Sequence, residues 1–196
     1  MGAYQTQLRT KPVNYRPVNA EPSNPEETKP MSEASNEKIA PEASFGPREW
    51  ILQPGQFNQM PDRSYQQLWF ELRTWSWKSL AVVPTIAGVS ELDVAEKLVV
   101  VGVANTNRRM SLISAEGATV SDTDRVIAMI RAAEARGDRV IVGTDSIIDN
   151  PSAAPIIRAV NGTILSVRLG STEKADVERS VAAINRNRVI GLVTRS

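Results

Sequence analysis

Between positions 79 and 194, short runs of β-branched and aliphatic residues alternate with stretches whose apolar positions recur every three to four residues. The runs fall at 79–83, 110–114, 139–142, 163–169 and 189–194 and predict strands. Helical spacing marks about 91–103, 122–136, 152–160 and 172–185. Ahead of the first run, Leu68, Trp69, Leu72 and Trp75 repeat at helical spacing, so 63–75 predicts an amphipathic helix. Ser90 with Asp93 and Ser121 with Asp124 fit capping boxes at two helix starts. Gly137 stands where a left-handed C-terminal cap is wanted. Five strands separated by helices predict a doubly wound, mostly parallel α/β sheet of about five or more strands, covered on both faces.

Before Asp62 this pattern breaks. Nine of the twelve prolines lie there, at 12, 17, 22, 25, 30, 41, 47, 54 and 61, among many Asn, Gln, Ser and Glu. Such a composition buries too little apolar surface to offset its ordering entropy. Residues 1–47 are therefore expected to be a disordered, Pro-rich tail, either an inert spacer or a segment that orders on a partner. The α/β domain is expected to occupy 48–196. Trp50, Ile51, Leu52 and Phe57 form an apolar island that should pack onto it.

Composition narrows the chemistry. The chain has 196 residues, 23 Lys+Arg against 22 Asp+Glu, no cysteine and no histidine. A net charge of +1 disfavours a nucleic-acid partner. Without Cys or His there are no disulfides, thiol nucleophiles, zinc fingers or Ser-His-Asp triads. Catalysis would have to run on carboxylates, Lys, Arg, Ser, Thr or Tyr. The longest apolar stretch, 98–104, is far short of the roughly 20 residues that span a bilayer. Positions 1–10 contain no apolar signal region, so the protein is expected to be soluble and cytoplasmic, without direct membrane insertion.

Parallel sheets bind ligands beyond the carboxyl ends of their strands, above all in the loop after the first strand. That loop is Pro84-Thr85-Ile86-Ala87-Gly88-Val89-Ser90. Gly88 is its only glycine, and no Lys follows to reach a phosphate.

Residues 62–196 resemble the cytoplasmic domain of the bacterial tyrosine autokinases of capsule and exopolysaccharide export, relatives of the MinD/ParA group of P-loop ATPases. The resemblance rests on Ser64-Tyr65-Gln66-Gln67-Leu68-Trp69-Phe70-Glu71-Leu72-Arg73-Thr74, Lys78-Ser79-Leu80-Ala81-Val82-Val83, Val94-Ala95-Glu96-Lys97-Leu98 and the block Ile164 to Thr172 followed by Asp176-Val177. It implies a P-loop-NTPase-like fold. With Val94-Ala95 aligned to the family's Val-Ala, the second P-loop glycine falls on Ser90, the phosphate-binding Lys on Glu91 and the magnesium-holding Ser/Thr on Leu92. The paired aspartates of the second acidic motif fall on Ser114 and Glu116, and the aspartate of the third falls on Gly143, two residues before Asp145. Phosphoryl transfer depends on those groups for positioning and charge neutralisation. The tyrosines are Tyr4, Tyr15 and Tyr65, with no C-terminal cluster.

The resemblance with its departures implies a catalytically inactive pseudo-enzyme with no cofactor or metal. Its expected role is adaptor or regulator in polysaccharide synthesis and export, peripheral at the inner membrane through a co-polymerase, a synthase or a kinase paralogue. A homo-oligomer is a further expectation. In those kinases the helix before the first strand carries a Glu-x-x-Arg-x-x-Arg assembly pattern, which falls here on Gln67, Phe70 and Arg73. Trp69, Trp75 and Trp77 lie beside it, and this aromatic concentration marks the segment as a partner-binding candidate, with core packing as the alternative. The competing functional reading is a divergent ATP-binding protein or kinase using Glu116 and Asp145. Asp145 and Asp149 also read simply as turn residues. Arg108 and Arg109 read as solvated charges before a strand, with a phosphate grip as the alternative; Lys97 reads as a surface residue.

Overall fold

The computed structural model describes residues 46–57 and 61–195. The expectation of a disordered tail falls, but for its last two residues, outside them. The chain folds as β1 (Arg48–Leu52), α1 (Arg63–Leu72), β2 (Ser79–Pro84), α2 (Leu92–Thr106), β3 (Met110–Ser114), α3 (Thr123–Ala135), β4 (Arg139–Gly143), α4 (Ala153–Ala159), β5 (Gly162–Arg168), α5 (Lys174–Ile184) and β6 (Val189–Arg195). The sheet order is β1-β3-β4-β2-β5-β6. Strands β2 to β6 are parallel, and β1 runs antiparallel along β3. This is the expected doubly wound α/β architecture, with one added edge strand.

Strand alternation sorts the core into two layers. Leu80 and Val82 face α1 and α2, whereas Ala81 and Val83 face α3, α4 and α5. All six residues of β2 are buried, which explains why its sequence is apolar without a polar face. The apolar island is explained by β1: Leu52 is buried, Trp50 and Phe57 pack at the margin of the first layer, and the register runs from Arg48 opposite Ser114 to Leu52 opposite Met110.

Helix ends differ from the periodicity where side chains intervene. α1 stops at Leu72 rather than 75 because Trp77 Nε1 donates to the Leu72 carbonyl at 2.9 Å and Thr74 Oγ1 to that of Glu71 at 2.7 Å. α2 runs three residues past 103 and ends on Asn107 at φ 51°. The predicted Ser121–Asp124 box gives way to Thr119–Asp122, two residues earlier, and a second box forms at Glu173–Asp176. Those hydrogen bonds hold the Asp122 and Asp176 carboxyls below the ordinary range. Gly137 takes φ 82° directly after α3, as a left-handed cap requires.

Gly102 lies where α2 crosses Trp69 and Met110. A Cβ there would meet the Trp69 ring at 2.6 Å and overlap Met110 Sδ. Gly to Ala in a helix ordinarily stabilises by about 1 kcal/mol. Overpacking a filled core costs about 1–3 kcal/mol. Gly102→Ala is therefore expected to lower the urea midpoint, and a raised midpoint would show that the ring has room to move.

Candidate functional site

The loop between β2 and α2 opens into a cleft of about 320 Å³ at the carboxyl ends of β2, β3 and β4. Ala87 to Ser90, Glu116, and Asp145, Ser146, Asp149 and Asn150 line it. Its position follows from topology: β2 is central and its crossover helix covers one face, whereas the helices after β3 and β4 cover the other. Thr85 anchors the loop's base, donating from N and Oγ1 to the Ser166 carbonyl of β5, each at 3.0 Å. Gly88 turns the loop at φ 67°.

A carboxylate already fills the head of α2. Glu116 Oε1 accepts from the backbone N–H of Glu91 at 2.8 Å and of Leu92 at 3.1 Å. Ser90 Oγ donates to the same group, at 2.8 Å to Oε1 and 3.0 Å to Oε2. The first N–H groups of a helix are where an anion binds. Here the anion comes from the loop after β3. Ser90 therefore does not form the expected box with Asp93, which instead pairs with Lys97 at 2.8 Å. Lys97 also lies 5.3 Å over the Tyr65 ring, so it is half-buried on α2 and far less free than a surface reading implies.

Glu91 points the other way. Its side chain is 2% exposed beneath the loop, where Oε2 accepts from Arg195 Nη1 at 3.0 Å. Burial pushes its carboxyl above the ordinary 4.5, opposed by Ser166 and Arg195. Glu91 thus ties the loop to the end of β6 and does not face the cleft. The carboxylate beside the helix head is that of Glu116. Nothing local to position 195 marks it, since the two partners lie 104 residues apart.

The remaining candidates brace this rim. Ser114 and Gly143 sit opposite each other at the ends of β3 and β4. A Cβ on Gly143 would meet Leu92 Cα at 3.5 Å, so α2 begins directly against the end of β4. Asp145 Oδ2 accepts from Gly117 N and Asn150 Nδ2, each at 2.8 Å, linking the loops after β3 and β4. Asp145 is thus a turn residue with long-range partners. Among the described residues no three acids converge as metal ligands.

The aromatic segment divides. Trp69, on α1, is fully buried and Trp77, just before β2, is 6% exposed; their rings meet edge to face at 5.7 Å, so both belong to the core. Phe70 at 52% and Trp75 at 53% face outward, with Gln67 and Arg73 exposed beside them. No described helix is long and apolar enough to cross a membrane.

No protein-family model matches the chain, and no curated protein matches it. Among solved structures the chain is similar to the kinase domain of Escherichia coli tyrosine kinase ETK, at 17% identity and a TM-score of 0.39, over 70% of this chain and 64% of that one. The chain thus spans less than two thirds of that chain's length.

Proposed function

We propose that the domain is a catalytically silent relative of the tyrosine autokinases that acts through protein contact, as an adaptor or regulator of a polysaccharide synthesis and export complex at the inner membrane. The observation that carries the silent half is Glu116: its carboxylate engages the N–H groups at the head of α2 that a phosphate would need. The lining does not fit a magnesium nucleotide, because its charged side chains are Glu116, Asp145 and Asp149, with no cation among them. Glu116 and Asp145, the acids a divergent ATPase would use, are both engaged in holding loops. The partner half rests on the motif resemblance. Its contact face is Gln67, Phe70, Arg73 and Trp75, where exposed aromatics supply the apolar anchor that interface hot spots favour. The partner class is a co-polymerase, a synthase or an active kinase paralogue.

Calorimetric titration with ATP and magnesium, paired with a phosphate-release assay, tests the silent half. No binding below millimolar and no turnover are expected. Micromolar affinity with turnover overturns it. Glu116→Ala should lose about 1 kcal/mol of stability, the usual worth of a helix cap. Millimolar inorganic phosphate should restore much of that loss in the variant while leaving the parent unchanged, read as melting temperature. The adaptor half fails if Phe70→Ala with Trp75→Ala leaves co-purification with the co-polymerase and the yield of exported polymer unaltered.

A further inference from the structure

A second cavity, of about 370 Å³, lies at the opposite end of the sheet, where β2, β3 and β4 begin. Trp77 and Met110 give it an apolar wall, and Arg73, Lys78, Arg108, Arg109 and Arg139 supply five cations against Glu134 and Asp138. Both acids are already committed. Asp138 receives Arg109, Arg136 and Ser111, and Glu134 receives Arg131 and Ser79, with Lys78 nearby. Arg73, Arg108 and Arg139 are left with no carboxylate partner among the described residues.

Helix ends explain part of this. α1, α2 and α3 all finish at this rim, and the partial negative charge of a helix C-terminus favours cations such as Arg73 and Arg108. Arg139 has no such reason. It opens β4, is half-buried, and lies 4.6 Å over the Trp77 ring. Desolvation first, and then Arg73 and Arg108, lower its pKa. Three like charges converging on one partly desolvated cavity oppose one another, and a bound anion removes that opposition.

We propose that this cavity binds a small polyanion bearing two or more phosphate or carboxylate groups, held by the guanidinium forks of Arg73, Arg108 and Arg139, with Trp77 behind Arg139 as its support. A guanidinium fork can take two oxygens of a carboxylate or of a phosphate at once, and the volume falls in the range of small-ligand sites. This inference does not rest on the silent cleft at the other end of the sheet; it shares only Arg73 with the proposed contact face, and Arg108→Ala tests it apart from that face.

Calorimetric titration of the full chain with tripolyphosphate and, separately, citrate tests it. At low salt at least one probe is expected to bind, and which one binds more tightly separates phosphate from carboxylate chemistry. Arg73→Ala with Arg108→Ala, both exposed positions, should weaken that binding about tenfold or more, the loss of one or two charge-assisted contacts. Replacing the same pair by lysine should recover only part of it, since lysine keeps the charge and loses the fork. If the double alanine variant fails to fold, Arg108→Ala alone is titrated and must still weaken binding. No heat from either probe at millimolar concentration, or equal affinity in parent and variant, overturns the proposal.

Discussion

Trp69→Ala is expected to destabilise the protein by about 3–5 kcal/mol, the usual penalty for emptying a fully buried aromatic site. Trp69 is the largest fully buried side chain, and it touches α2 at Gly102 and Trp77 edge to face. Its indole N–H has no hydrogen-bond partner among the described residues. Trp69→Phe removes that unsatisfied donor along with some volume, so it should change stability by less than about 1.5 kcal/mol. Phe70→Ala and Trp75→Ala, at exposed positions, should stay within about 0.5 kcal/mol. Urea unfolding of the four variants separates core from contact face. If Trp69→Ala proves as mild as Phe70→Ala, the assignment of Trp69 to the core is wrong.

Arg195→Ala should cost nearly as much at neutral pH, about 3 kcal/mol, because it strands a carboxylate with almost no access to water. Glu91→Gln should cost much less, since Arg195 keeps 23% of its side-chain surface in solvent. The double variant should be more stable than Arg195→Ala alone. The pH dependence has a definite sign. Burial raises the folded-state pKa of Glu91 above 4.5, and losing Arg195, which opposes that rise, raises it further. The folded state then holds the proton more readily than the unfolded state, so this group favours folding as pH falls. The deficit of Arg195→Ala relative to the parent should shrink as pH drops through the raised value and level off below 4.5. A deficit that grows on acidification would contradict the buried pair.

Much of the fold was legible because it is local. The five parallel strands lie within one residue of their β-branched runs. β2 to β5 are apolar because they are largely buried on both faces, while β6, half-exposed at the sheet edge, keeps its run through its β-branched residues. β1 escaped the pattern, as Arg48-Glu49-Trp50-Ile51-Leu52 has no clean alternation. Its place is set by β3 and by the pairing of Glu49 with Arg136 across 87 residues. The aromatic segment shows the limit of spacing: Trp75 repeats with Leu68, Trp69 and Leu72, yet it lies past the end of α1 and is 53% exposed. The cleft was legible as a place, and Gly88, Ser90, Glu116 and Asp145 do meet there. The direction of each carboxylate was not. Glu91 turns inward because Arg195 waits beneath the loop, and Ser90 donates to Glu116 of the loop after β3 instead of boxing with Asp93. Both depend on partners at least 26 residues away.

The pairing of Glu91 with Arg195 also restricts how this loop can change over time. A lysine introduced at position 91 by itself would set two cations together in a space nearly closed to water. Removing Arg195 first leaves the acid stranded. Either order passes through a weakened intermediate, and Glu116 would still plug the helix head. The pair therefore works as a ratchet: a mutational walk toward a phosphate-gripping loop needs concerted replacements at two touching positions 104 residues apart in the chain, and drift at either position is confined by the other.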